Sequence, residues 1–397
     1  MRERPLEGIL VADFSRVLAG PLATMTLADL GARVIKVERP GSGDDTRHWG
    51  PPYSETGTTY FDSVNRNKES LCLDLTDPHG RKLALELADR ADVVVENFKP
   101  GGMDKLGLGY PELSASNPGL VYASISGFGD RKGAELPGYD FIVQALGGLM
   151  SITGEPEHDP TKVGVAVVDV LTAKDTTIGI LAALTARQHS GLGAHLKMNL
   201  LSSLQGSLAN QVQAFLGSGA VPVRMGNEHP SIVPYQLLEA GDGPLAVACG
   251  NDSQFVKLCS VLGSPELTAD PRFATNAARV AHRTELIPLL ESALAVAPAA
   301  HWQLQLSAAG VPSGKVGGID DGLAYAEELD LNPTIDVLDP AGAVAGRQVR
   351  HPITWEPEFS VRRDAPPQLG QDSEAIISWL SKPNHPSPIS QKAGPAQ

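Results

Sequence analysis

Residues 7–40 read EGILVADFSRVLAGPLATMTLADLGARVIKVERP, and the change of period along this stretch decides the fold. Ile9–Phe14 is a short apolar run that predicts a strand, Leu22–Leu30 carries helical periodicity, and Arg33–Glu38 predicts a second strand. Strand, loop, helix and strand make half of a doubly wound unit. Downstream, HGRKLALELADRA (79–91) predicts a helix, and DVVVENF (92–98) and GLVYASISGF (119–128) predict strands. Their unbroken β-branched runs suit parallel strands covered on both faces. The expected fold class is therefore α/β, with a first domain over residues 1–200.

A chain of 397 residues exceeds the size at which one core keeps growing, so a second domain is expected. The helical stretch Leu200–Leu216 and a Gly- and Pro-rich segment predict a helix and linker over 201–227. Beyond it, two short strands flank the Gly-Asp-Gly turn of 241–243, and DSQFVKLCSVLG (252–263) and RTELIPLLESALA (283–295) predict helices. These make a small α+β domain over 228–325, after which 326–380 is expected to return to the first domain. The Pro- and Ser-rich residues 381–397 read as a flexible tail.

Composition narrows the function. Hydrophobic residues make up 42% and charged residues 20%, as in an ordinary globular protein. A formal charge of −14 argues against a nonspecific nucleic-acid binder, which needs clustered cations against phosphate. Cys72, Cys249 and Cys259 are widely spaced, which suggests neither a disulfide framework nor a metal site and fits a reducing, cytoplasmic setting. The opening MRERPLEGILVADF is not read as a signal segment, and no run of ~18 apolar residues predicts a membrane span. Between Phe14 and Leu22 only Gly20 occurs, so the glycine pattern of a dinucleotide turn is missing even though Glu38 ends the second strand.

The acid of interest lies in KVGVAVVDVLTAKDTTIG (162–179), where a strand-like run, Val163–Val168, stops at Asp169 and helical periodicity begins. Local sequence favours Asp169 as the cap of that helix. The same carboxylate, partly dehydrated between valines and held ionised by a helix N-terminus, would also serve as a nucleophile toward an activated acyl group. Asp175, further along, reads as solvent-facing. In VENFKPGGMDKLGLGY (95–110), Asn97 and Phe98 end a strand where open α/β sheets bind ligands, and Lys99 and Lys105 are either solvated or phosphate contacts. Arg39 and Arg47, flanking a Gly-rich loop, read the same way.

In order along the chain, VADFSRVLAGPLATMTLADLGARVIKVERPGSGDDTR (11–47), NRNKESLCLDLTDPHGR (65–81), VENFKPGGMDKLGLGY (95–110), SISGFG (124–129), PGYDFIVQALGGLMSITG (137–154), RMGNEHPSIVPYQ (224–236) and AAGVPSGKVGGIDDGL (308–323) closely resemble the family III CoA-transferases, the CaiB/BaiF family. The resemblance implies a Rossmann-like large domain built from both ends of the chain, a smaller α+β domain, and an interlocked homodimer. It implies that coenzyme A or acyl-CoA is the substrate, with no metal, and that the second substrate is a carboxylic acid. The nucleophile follows the stretch VG-x-x-x-x-D, which makes it Asp169. Tyr139 falls beside the reactive centre, and Asp140 is the neighbouring acid, on the cofactor side. Coenzyme A contacts carry over to Val17 and Leu18, Arg39, Leu73, Asn97, Phe98 and Lys105, the last standing where the family often has Arg. Leu18 and Thr76 depart from the Gln and Lys of oxalate-using members, and ACGNDSQ (248–254) has Gly250 alone where some members carry a Gly-rich closing segment. The alternatives within reach are an α-methylacyl-CoA racemase of the same fold, whose Gly-His-Asp is Gly138-Tyr139-Asp140 here, or a non-catalytic CoA-ester-binding protein. A Tyr with an ordinary pKa near 10 is a poor base at neutral pH.

Overall fold

The computed structural model describes residues 3–383. Chain contacts divide it into two units: Met1–Leu149, Val163–Gly217 and Asn332–Gln397 form one, and Met150–Lys162 with Ser218–Leu331 form the other. The tail expected over 381–397 lies, from 384 onward, outside the described residues.

In the first unit the elements run β1 (Leu10–Asp13), α1 (Ala19–Asp29), β2 (Arg33–Glu38), α2 (Thr59–Asp62), β3 (Lys68–Cys72), α3 (Pro78–Arg90), β4 (Val93–Glu96), α4 (Tyr110–Ser116), β5 (Val121–Ser126), α5 (Asp140–Leu146), α6 (Val167–Ser190), β6 (Ala194–Asn199), α7 (Leu200–Ser207) and α8 (Ala209–Ser218). Six parallel strands form one sheet in the order β3-β2-β1-β4-β5-β6. The order reverses direction between β1 and β4, which opens a crevice at the carboxyl ends of those two strands.

Burial explains the unbroken valines. Val93 and Val95 join a core with α1, α6 and α7, while Val94 faces the opposite core with α3, so both faces of β4 are dry. Helix α1 starts earlier than the Leu22 expected, because Pro21 falls in the first turn, where its missing N–H costs nothing. The stretch expected to be helical over Leu200–Leu216 is two helices, α7 and α8, broken where Ala209 takes a φ of +39°.

The second unit holds the hairpin β7 (Tyr235–Ala240) and β8 (Gly243–Ala248), then α9 (Asp252–Val261), α10 (Asn276–Ala281), α11 (Arg283–Leu294), α12 (Ala299–Ala308), β9 (Ser313–Lys315) and α13 (Ile319–Glu328). The strands are antiparallel in the order β7-β8-β9, with Ala240 opposite Gly243 across the turn. Its core includes a fully buried Arg279, whose guanidinium bonds the carbonyls of Val233 and Phe273 and the Asp252 carboxylate. The unit is wider than the 228–325 expected. Residues 150–162 join it because the Arg224 guanidinium donates to the carbonyls of Glu155, Pro156 and His158.

The chain then re-enters the first unit with β10 (Thr334–Leu338), β11 (Val344–Val349) and α14 (Ser373–Leu380). Ile376 and Leu380 of α14 enter the core over α3, and the Asp372 carboxylate accepts the Ser70 N–H of β3 at 2.8 Å. Among the described residues no helix is long and apolar enough to cross a membrane.

Candidate functional site

The crevice at the sheet's switch point is built by two loops that hold each other. Asn97, just past β4, accepts the Arg16 N–H at 2.9 Å and donates back to the Arg16 carbonyl at 2.7 Å, and the Arg16 guanidinium lies over the Phe98 ring. The next residue, Val17, has a φ of +70°, a left-handed conformation that is a genuine outlier for a β-branched side chain. Its N–H is held by the Asp44 carboxylate at 3.2 Å.

Behind these loops lies a buried chain of charges. The fully buried Lys36 ammonium pairs with Asp44 at 2.9 Å and donates to the Ser15 carbonyl, while Lys68 pairs with Asp13 at 3.1 Å and also reaches the Pro21 carbonyl and Asn65. Burial opposes the charge on Asp44, yet the Lys36 ammonium outweighs it and brings the carboxyl down to about 2. On Asp13, burial is likewise overcome by Lys68 and Lys36, and the carboxyl stays below its usual range. Lys68, in contrast, is brought down to about 8 by burial. The loop bearing Val17 therefore stands on anions that remain ionised.

The second half of the site comes from the crossover between β5 and β6. Gly127 and Gly138 touch back to back: a Cβ on Gly138 would lie 2.5 Å from the Gly127 Cα, so only glycine allows the two loops to approach this closely. The contact sets where Tyr139 and Asp140 begin α5. The Asp140 carboxylate then accepts the N–H of Val168 at 2.7 Å and that of Asp169 at 3.4 Å, capping α6 from 28 residues upstream. Asp169 sits in the first turn of α6 and is half-buried. Burial, together with the charge of Asp140, pushes its carboxyl up to about 7.

Two local expectations about Asp169 are corrected here. It does not cap its helix: α6 starts at Val167, and the amides at its start are taken by Asp140. For the same reason the helix N-terminus does not keep Asp169 ionised, and its carboxyl holds its proton more tightly than usual. The run before it is not a strand either. Val163 donates its N–H to the Gln144 side chain, Val165 is 55% exposed, and only Val168 of the run is buried.

The remaining residues fall as follows. Val17, Arg39, Leu73 and Asn97 with Phe98 follow the carboxyl ends of β1, β2, β3 and β4, on one edge of the sheet. The Leu18 and Leu73 side chains are buried in the protein. Arg39, Lys99, Lys105 and Tyr139 are exposed, as is Asp175. Arg47 is not available to phosphate, since its guanidinium forms a two-pronged bond to Glu38 at 2.7 Å and lies over Phe61. Glu38 is consumed by the same pair. Asp140 has both carboxylate oxygens engaged within the protein, Oδ1 by the Val168 and Asp169 N–H groups and Oδ2 by the Gln144 amide.

Sequence reasoning missed Tyr60. Burial raises its phenol to about 12, with further contributions from the charges of Asp169, Asp140 and Asp44, so this hydroxyl lies within the field of these carboxylates and stays protonated. Trp49 packs edge-on against it at 5.3 Å between ring centres. The local signal that could have pointed to it was the Thr58 side chain capping the short helix α2 on which Tyr60 rides.

A parallel sheet with a crevice at its switch point, and a carboxyl of raised pKa in the first turn of α6, define an α/β protein with the features of an enzyme site. Residues 6–373 match the model of CoA-transferase family III. The chain is 41% identical over 387 residues to the succinate–glutarate CoA-transferase of Agrobacterium fabrum, covering 96% of each chain. It is 46% identical over 383 residues to the acetyl-CoA:oxalate CoA-transferase of Acetobacter aceti, again covering 96% of each. Among solved structures, a CaiB/BaiF family protein from Brucella suis aligns with a TM-score of 0.84 at 44% identity, over 96% of this chain and all of that one. The chain belongs to CoA-transferase family III and is an acyl-CoA:carboxylate CoA-transferase.

Proposed function

We propose that Asp169 is the nucleophile that carries the acyl group and then coenzyme A between a donor thioester and a dicarboxylic acid acceptor. The observation that carries this reading is the half-buried Asp169 carboxyl at about 7, since a more basic carboxylate is a better nucleophile than one exposed to water. Its attack on the donor thioester forms a mixed anhydride and expels the CoA thiolate. The thiolate attacks the aspartyl carbonyl, forming an aspartyl-CoA thioester and releasing the donor acid. The acceptor carboxylate attacks that thioester, giving a second anhydride and free thiolate, which takes the new acyl group and restores the Asp169 carboxylate. Each bond broken is matched by one formed, and no water, metal or ATP enters. The protonated Tyr60 phenol is suited to stabilise oxygen charge as it develops beside the two carboxylates.

In this reading coenzyme A lies along the carboxyl edge of β1–β4, between the Val17 loop and the Asn97–Phe98 loop, with Arg39 and Lys105 toward its phosphates. Tyr139 lines the acyl end. The homodimer and the cytoplasmic setting belong to the same reading. Succinate, glutarate and oxalate, the acids in the relatives' names, share two carboxylates, which supports a dicarboxylate acceptor.

The test is trapping. Purified protein incubated with succinyl-CoA or acetyl-CoA and quenched with hydroxylamine should carry a hydroxamate that mass spectrometry maps to Asp169, and CoA exchange into glutarate or oxalate should be lost in Asp169→Ala. Turnover with the label on another residue, or exchange of the α-proton of a 2-methylacyl-CoA without CoA transfer, would refute it.

A further inference from the structure

We propose that Gln144 is a positioning residue of the transfer reaction: it holds the Asp140 carboxylate against the first turn of α6 so that Asp169 is presented to the thioester. This inference rests on the reading of Asp169 as the nucleophile. Gln144 is completely buried on α5, one turn after Asp140. Its Nε2 donates to Asp140 Oδ2 at 2.7 Å, and its Oε1 accepts the Val163 N–H at 2.9 Å. The other Asp140 oxygen, Oδ1, accepts from Val168 and Asp169.

One orientation of the amide satisfies both partners. Turned over, it would set oxygen against carboxylate and NH2 against a backbone N–H. Gln144 thus ties down both ends of the 163–168 segment, one directly through Val163 and the other through Asp140 at Val168. Between those ends Val165 stands largely in solvent, and Ala166 offers α6 no side-chain cap, so the two tethers carry the positioning. A buried amide left half-paired is costly, so the chain Gln144, Asp140, α6 is held as a unit. An α6 start fixed in this way holds the Asp169 backbone in place before the thioester arrives, and displacement by about 1 Å costs on the order of 10²-fold in rate.

The experiment exchanges the roles of the two side chains. Gln144→Leu removes both bonds, and Gln144→Glu sets a carboxylate against Asp140. Each is expected to lower kcat by about 10²-fold while KM for acyl-CoA changes little. When Asp140→Asn is combined with Gln144→Glu, the amide now at position 140 accepts from Val168 and donates to the carboxylate now at position 144. The other oxygen of that carboxylate accepts from Val163, so every bond returns with the charge moved further from Asp169. That double variant should regain at least about ten-fold in kcat over Gln144→Glu. It should also move the acid limb of its pH profile downward, since Asp140 of α5 is the anion that faces Asp169 and Tyr60 of α2 stays protonated. Wild-type kcat in Gln144→Leu, or a double variant no faster than Gln144→Glu, overturns the proposal, as does a kcat loss that only follows loss of folded protein in circular dichroism. Hydroxylamine labelling of the wild type separates the two readings. A label on Asp169 with an unaffected Gln144→Leu rejects only the positioning role, whereas turnover without that label rejects the nucleophile on which it rests.

Discussion

Replacing Asp169 by Asn should make the protein more stable, by an amount that grows from about pH 4 and is complete above about pH 7. The folded carboxyl sits near 7, against an ordinary 3.8, so its ionised form is disfavoured in the native state. Below about pH 4 the group is protonated whether the chain is folded or not, and it contributes no penalty. Between about pH 4 and 7 the unfolded chain releases the proton while the folded one keeps it, so stability falls as pH rises, and above about 7 the full penalty is present. About 3 pKa units at 1.36 kcal/mol each set an upper bound of ~4 kcal/mol. Because Asp169 is only half-buried and water screens part of the interaction, the expected gain for Asp169→Asn is ~1–2 kcal/mol, or roughly 2–5 °C in Tm. Thermal unfolding of wild type and variant at about pH 4.5 and about pH 8 reads it, with the exposed Asp175→Asn on the same helix as control. A gain of equal size at both pH values, or none at the higher one, would refute the argument that the site is held at the expense of fold stability.

The same raised carboxyl predicts an acid limb in kcat/KM near pH 7, with activity rising as Asp169 ionises, and a limb near pH 4 would contradict it. Asp44→Ala leaves the buried Lys36 ammonium short of its partner and the Val17 amide unheld, so about 3–5 kcal/mol of stability should be lost and KM for acyl-CoA should rise; unchanged melting would count against the charge network. Gly138→Ala forces a Cβ onto the Gly127 backbone and should cost ~1–3 kcal/mol together with activity, while Gly206→Ala, in a helix with open space around it, should be neutral or stabilising by up to ~1 kcal/mol. Chemical denaturation of the two variants side by side distinguishes a packing effect from a general intolerance of alanine.

Much of the scaffold was legible in the chain. Arg33–Glu38 is a strand with the bounds expected, and those expected at 9–14, 92–98 and 119–128 differ only at their ends, because side-chain period registers burial directly; β3 and β6 were not anticipated, and the valine run at 163–168 is not a strand. The Gly-Asp-Gly hairpin was equally local. Asp169 stood out as an acid that ends an apolar run, yet its role as a cap was misread because the actual cap comes from a residue far upstream. Arg47 shows the same limit. In sequence it is a cation beside a Gly-rich loop, and in the fold it is spent on Glu38.

Sequence by itself determined that β1, β2, β4 and β5 are strands and that α1 and α3 are helices, since those features follow from the period of neighbouring residues. Tertiary structure alone decided that α6 begins at Val167, that Asp140 and Gln144 hold it, that Tyr60 lies in the field of the carboxylates, and that Val17 is locked at positive φ by Asp44. Each of these depends on a hydrogen bond or a charge acting between residues distant in the chain, and such pairings exist only after the sheet has brought their loops together.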